Sequence, residues 1–160
     1  MTRARLQELA ELGQSVWVDF VSRRALRDGE IEALIRDRGV VGMTSNPTIF
    51  ERAIASGDAY DEQLRGLVDA GECDPRELFI RLAVADIQDA CDLLAGVYER
   101  TEHLDGFVSI EVDPGLAFER ERTVEEARRL HGLIDRPNVF IKIPATEPGV
   151  GAIEDAIAQG

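Results

Sequence analysis

Lysine is nearly missing from this sequence: of its 18 basic residues only Lys142 is not an arginine. Arginine keeps its proton in proteins, so any side-chain amine chemistry has a single group to run on. Histidine is scarce as well, with His103 and His131 alone, and Cys73 and Cys91 match no metal or redox spacing. A zinc centre is therefore poorly supplied, and both thiols are expected to be ordinary buried or half-buried groups. Positive charge is in deficit throughout: 31 acidic residues bring the net charge to -13 and the pI to about 4.5. That field repels nucleic acid and anionic membrane, and no basic stripe interrupts it. Apolar runs of membrane-spanning length are absent, and Met1 to Leu12 lack the uninterrupted apolar core of a signal peptide. A cytoplasmic location is the expectation. Neither GxGxxG nor GxxxxGK(S/T) occurs, so the usual nucleotide-phosphate loops are excluded.

What the chain does contain is a regular alternation. Its 160 residues, 44% hydrophobic, suffice for the core of one domain. After a short N-terminal helix, Ser15 to Phe20 reads as a first strand, almost continuously apolar as a strand covered on both faces should be. A helix from about Asp28 to Arg38 follows, stopped by Gly39, and then a second strand, Val40 to Thr44, running into Ser45-Asn46-Pro47. The next stretch is helical, with turns at Ser56-Gly57-Asp58 and Ala70 to Cys73. Asp74-Pro75-Arg76-Glu77 combines a cap, a first-turn proline and an early acid. Ile80, Val84, Ile87, Cys91, Leu94 and Tyr98 then recur at helical spacing, which marks core. Gly106 to Val112 is the third strand, and Thr123-Val124-Glu125-Glu126 has the form of a capping box. In the helix it opens, His131 is expected on the apolar face with Ala127 and Ile134. Asn138 to Pro144 is the fourth strand, and Gly149 to Ala158 a closing helix. Four successive strand–helix units imply parallel strands, in an open doubly wound sheet or a (β/α)₈ barrel.

Each strand ends in polar residues: Asp19, then Thr44 and Asn46, then Glu111, then Lys142. In a parallel barrel those ends converge on one face, where barrel enzymes keep their chemistry. Two carboxylates, an amide and a lysine suit imine formation with a carbonyl substrate. An ordinary lysine amine is protonated at neutral pH, and freeing it costs about 4 to 5 kcal/mol. Burial among Phe140, Ile141 and Ile143 is the expected relief. One acid can then protonate the departing carbinolamine hydroxyl, and a second can take a substrate hydroxyl proton as a carbon–carbon bond breaks. Such chemistry needs neither metal nor cofactor.

At this point the residues resemble the transaldolases, the bacterial long-chain branch in particular. Val41-Gly42-Met43-Thr44-Ser45-Asn46-Pro47-Thr48-Ile49-Phe50 is similar to the family signature. Ser15 to Asp19, Ser109 to Pro114 and Asn138 to Thr146 resemble its first, third and fourth strand motifs. The resemblance implies an α/β, (β/α)₈ barrel of TIM type, with residues 1–160 as its N-terminal half: four strand–helix units, an N-terminal helix and a helical insertion after the second strand. It implies that Lys142 forms a Schiff base with the C2 ketone of a ketose phosphate. Asp19 would serve as acid/base for aldol cleavage, and Glu111 would act through a water. Asn46 would bind substrate hydroxyls, with Thr44 and Ser45 beside it. The implied reaction moves a dihydroxyacetone unit from sedoheptulose 7-phosphate or fructose 6-phosphate to erythrose 4-phosphate or glyceraldehyde 3-phosphate, in the non-oxidative pentose phosphate pathway. A lysine aldolase of the same fold, or an inert half-barrel, is the alternative.

Two departures from the family pattern carry expectations. Phe20 stands where relatives often have a second acid. A full barrel takes about 250 residues, so the fifth strand and the phosphate-clamping arginines are expected beyond Gly160, and Arg23, Arg24 and Arg52 are not assigned that role. Half a barrel exposes two strand edges and an apolar face, which predicts a homodimer, a complementary half-barrel partner, or aggregation.

Overall fold

The computed structural model describes residues 5–160. Helix α1 (Arg5–Glu11) leads to the two-residue strand β1 (Trp17–Val18). Helix α2 (Arg23–Arg27) starts well before the predicted Asp28, because the Ser22 hydroxyl accepts from the Ala25 N–H at 3.2 Å and caps it. Gly29, at φ 77°, then breaks the helix before α3 (Glu30–Ala33), which widens into a π-helical turn, Leu34–Arg38, closed by Gly39 at φ 74°. After β2 (Gly42–Thr44) come α4 (Pro47–Ala55), α5 (Asp61–Asp69) and the 26-residue α6 (Pro75–Arg100). Asp74 caps α6 as its sequence predicts, accepting from the Arg76 N–H at 3.0 Å. Then follow β3 (Val108–Glu111), a 3₁₀ turn at Pro114–Leu116, α7 (Arg120–Ile134), β4 (Val139–Lys142) and α8 (Glu147–Ile157). Among the described residues no helix is long and apolar enough to cross a membrane.

Two local expectations are corrected in α7. The helix begins at Arg120, so Thr123 lies inside its first turns, buried, its hydroxyl donating to the Leu116 carbonyl at 2.8 Å instead of capping. His131 is exposed: the buried stripe is Val124, Ala127, Leu130 and Ile134, and residue 131 falls on its flank. Cys73 is likewise exposed in the turn before α6, whereas Cys91 is buried. Burial pushes the Cys91 thiol up to about 12, because the thiolate would lose its hydration. A thiol reagent should therefore titrate one cysteine in the folded chain and two after denaturation; two fast-reacting thiols before denaturation would contradict this packing.

The strands form one parallel sheet in the order β1-β2-β3-β4, the arrangement of the (β/α)₈ architecture represented by four strands. Trp17 pairs with Gly42, Thr44 with Ser109, and Glu111 with Lys142. All four strands are shorter than the sequence suggests, although flanking residues still bond across the sheet, as Val41 N–H does to the Val16 carbonyl at 2.9 Å. Alternation sends Met43, Val108, Ile110 and Val139 to the helix side, where they join Ile87, Leu94, Leu130 and Ile134 in the main core. The other face carries Trp17, Phe107 and Phe140. Phe107 and Phe140 stack with centroids 4.0 Å apart, and Trp17 lies parallel to Phe140 at 6.4 Å.

Gly42 makes room for that arrangement: a Cβ there would sit 2.3 Å from the Trp17 ring. Gly42→Ala should cost about 1–3 kcal/mol through overpacking and shift the emission of the chain's only tryptophan. Unchanged emission and stability would show that the indole does not rest on this glycine.

On the opposite, helical side, Arg23, Tyr60 and Asp86 form a buried cluster that ties α2 and the α4–α5 connection to α6. Arg23 Nε donates to Asp86 Oδ1 at 2.7 Å and its Nη2 donates to the Leu82 carbonyl at 3.1 Å. The Tyr60 hydroxyl donates to Asp86 Oδ2 at 2.6 Å, accepts from the Arg23 N–H at 3.1 Å, and its ring lies 4.3 Å from the guanidinium carbon. Every charge in the cluster therefore has a partner, as burial requires.

Candidate active site

Parallel pairing sets Glu111 beside Lys142 and Thr44 beside Ser109, two residues short of Glu111, so three of the polar residues singled out in the sequence, Thr44, Glu111 and Lys142, share the inner face near the strand ends. Lys142 reaches over its neighbouring strand. Its Nζ lies 3.5 Å from Glu111 Oε2 on β3 and donates to Thr44 Oγ1 on β2 at 3.3 Å. Ser109, one turn of the pleat below Glu111, donates its hydroxyl to the same Thr44 oxygen at 3.0 Å. An amine, a carboxylate and two hydroxyls thus converge on the inner face, above the Trp17–Phe107–Phe140 floor.

The lysine side chain is 36% exposed and the glutamate 25%. The apolar burial expected around Lys142 is supplied on one side only: Phe140 shares its face, while Ile141 and Ile143 pack against the helix-side core. The other side of the amine is open. Ser109 escaped the sequence reading because it lies within the strand; its signal was the two-residue spacing to Glu111, which puts both side chains on one face.

The remaining three sequence candidates are placed differently. Asp19 follows β1, one step beyond the Val18–Met43 pair as Thr44 is, and is exposed, with no hydrogen bond or ion pair among the described residues. Asn46 caps α4: its Oδ1 accepts from the Ile49 N–H at 2.9 Å, which fixes the amide at the mouth of the β2–α4 loop. Its NH₂ group has no protein acceptor among the described residues. Ser45 is fully buried and donates to the Ser109 carbonyl at 2.7 Å. Its hydroxyl pins the loop to β3.

A cavity of about 290 Å³ lies behind the ends of β2 and β3, bounded by Asn46, Phe50, Phe79, Ile110, Glu111 and Arg76. Lys142 does not line it. Arg76 is held there by Asp113 at 3.2 Å and Glu126 at 3.4 Å. Glu111 borders both this cavity and the inner face. Among the described residues, no three His, Cys, Asp or Glu side chains gather in a way that could hold a metal ion.

With this geometry in place, comparison with known proteins is informative. The family model described as Transaldolase/Fructose-6-phosphate aldolase matches residues 16–160. The chain is 54% identical to a transaldolase of Frankia alni over 155 residues, covering 97% of this chain and 42% of that protein. It is 54% identical to a transaldolase of Thermobifida fusca over 156 residues, with 97% and 42% covered. It is 49% identical to Transaldolase 1 of Streptomyces coelicolor over 159 residues, 99% of this chain and 42% of the relative. The chain thus spans about two fifths of the length of these curated relatives.

Proposed function

Since this chain belongs to the transaldolase/fructose-6-phosphate aldolase family, we propose that it carries the Schiff-base half of a transaldolase site, with Lys142 as nucleophile. The observation that supports this most directly is the Lys142 amine set 3.5 Å from Glu111 and 3.3 Å from Thr44 at the ends of parallel strands. The amine attacks the C2 ketone of a ketose phosphate, sedoheptulose 7-phosphate or fructose 6-phosphate. The carbinolamine loses water to give a protonated imine, with Glu111 passing the proton through a water molecule. Asp19 takes the proton of the C4 hydroxyl as the C3–C4 bond breaks. The electron pair of that bond moves into the iminium to form an enamine, and an aldose phosphate leaves. The enamine then adds to the aldehyde of erythrose 4-phosphate or glyceraldehyde 3-phosphate, and hydrolysis frees Lys142. Thr44 and Ser109 orient the amine, and the Asn46 NH₂ donates to hydroxyls of the three-carbon unit. This is chemistry of the cytoplasmic, non-oxidative pentose phosphate pathway.

The domain is read as the N-terminal half of a (β/α)₈ barrel, with the inner face covered by a second copy or by a complementary half-barrel. The family description names two activities, which supports a second reading: an aldolase that releases its aldehyde to water. Acceptor dependence separates them. Product that forms only when an aldose phosphate is added supports transfer, and release of glyceraldehyde 3-phosphate and dihydroxyacetone without acceptor supports the aldolase. The primary test is borohydride reduction with fructose 6-phosphate. The imine carbon accepts hydride and becomes a stable secondary amine, and mass spectrometry should find the added mass on the peptide holding Lys142. A correctly folded chain with no adduct would leave an inert half-barrel.

A further inference from the structure

The Thr44 hydroxyl receives two hydrogen bonds and has one hydrogen still to give. Lys142 Nζ donates to its oxygen at 3.3 Å and the Ser109 hydroxyl at 3.0 Å, which takes both lone pairs. Neither donor can take the Thr44 hydrogen in return: an ammonium has no lone pair, and only one hydrogen fits between two hydroxyl oxygens. No other group among the described residues accepts it. β2 is flanked by β1 and β3, so both neighbours of Thr44 across the sheet belong to this chain. On the β3 side stands Ser109. On the β1 side, one step past the Val18–Met43 pair, stands Asp19, placed by alternation on the face of Trp17. Neighbouring strands lie about 4.8 Å apart, so one side-chain rotation brings the Asp19 carboxylate within hydrogen-bond reach of that hydroxyl.

We propose that Thr44 is a hydroxyl bridge through which Asp19 takes the proton of the Lys142 ammonium, so that the aspartate acts in imine formation as well as in carbon–carbon cleavage. This rests on the Schiff-base reading above and adds a step to it. Lys142 can attack a ketone only after losing a proton. The one hydrogen bond its amine makes among the described residues goes to Thr44, whereas Glu111, at 3.5 Å, is an ion partner. An N–H bond of the ammonium breaks and its proton joins the Thr44 oxygen, while the Thr44 hydrogen passes to the Asp19 carboxylate. The amine is then neutral, Thr44 is unchanged and Asp19 is an acid. That proton leaves with the carbinolamine hydroxyl, as water, and Asp19 is a carboxylate again before the C4 hydroxyl needs a base. Ser109 sets the direction of the bridge, because its own bond to Thr44 leaves the Thr44 hydrogen facing β1.

The test is a double-mutant cycle on the rate of adduct formation with fructose 6-phosphate, with borohydride in excess so that imine formation limits the rate. Asp19→Asn and Thr44→Val should each slow trapping by about 10²-fold, and the double variant should be no slower than the slower single one. Thr44→Ser, which keeps the hydroxyl, should restore most of the rate. Circular dichroism checks each fold, and Asp19, being exposed, can be changed without disturbing the core. If Thr44 only packs against the lysine, Asp19→Asn will slow trapping as much in the Thr44→Val background as in the wild type, and that additivity overturns the bridge. Wild-type trapping by Asp19→Asn also overturns it, confining Asp19 to cleavage and leaving Glu111 as the base. A wild-type chain that yields no adduct removes the Schiff-base reading itself, and the bridge with it.

Discussion

Lys142→Arg should reduce borohydride-trapped adduct with fructose 6-phosphate to background, a loss on the order of 10⁴-fold or more. Arginine keeps the positive charge and can keep a contact with Glu111, so the fold and the local field survive while the nucleophile is gone. No other side-chain amine exists to take over. Glu111→Gln should behave differently, giving the same adduct mass about 10²- to 10⁴-fold more slowly, equivalent to about 3–5 kcal/mol of barrier. Adduct formed by Lys142→Arg at the wild-type rate would place the chemistry elsewhere, and an unaffected Glu111→Gln would remove the carboxylate from imine formation.

Asp86→Ala should be the most destabilising single change on the helical side. Asp86 is fully buried, accepts from Arg23 and Tyr60, and lies 2.7 Å from a guanidinium that is itself only 3% exposed. Removing the carboxylate strands a charge and a hydroxyl in the core, at a cost of about 3–5 kcal/mol. Against a typical stability of about 5–15 kcal/mol, that is a large fraction, and a chain with an open sheet face has little reserve. Urea denaturation followed by circular dichroism measures it, with Asp86→Asn, which keeps an acceptor for Tyr60, expected to lose less. The double change Arg23→Met/Asp86→Leu should recover much of the loss, because it deletes both charges together. A cost for Asp86→Ala below about 1 kcal/mol, the scale of an exposed pair, would show that the cluster is solvated.

Local signals with a single physical meaning were readable in the sequence. Asp74-Pro75 at the start of α6 and Gly39 after the π-helical turn behave as their chemistry dictates. Signals open to competition were not. Thr123 has the spacing of a capping box, but its hydroxyl is claimed by the Leu116 carbonyl and the helix begins three residues earlier. The start of α2 was missed because Ser22 is followed by two arginines and no apolar periodicity. The site follows the same division. Thr44, Glu111 and Lys142 were legible because parallel pairing brings strand ends together whatever the loops do. Ser109 was not, because its role depends on a side-chain hydrogen bond to a neighbouring strand. Ser45 and Asn46 look alike as loop polars, yet one is consumed by the Ser109 carbonyl and the other caps α4.

The lone lysine at the end of β4 also makes the chain a substrate with one scissile point. A protease specific for lysine can cut only the Lys142–Ile143 bond, and extended backbone held in a sheet is a poor fit to a protease cleft until it detaches. The cutting rate therefore measures how often the tip of this strand peels away, and an alkylated Nζ should silence it.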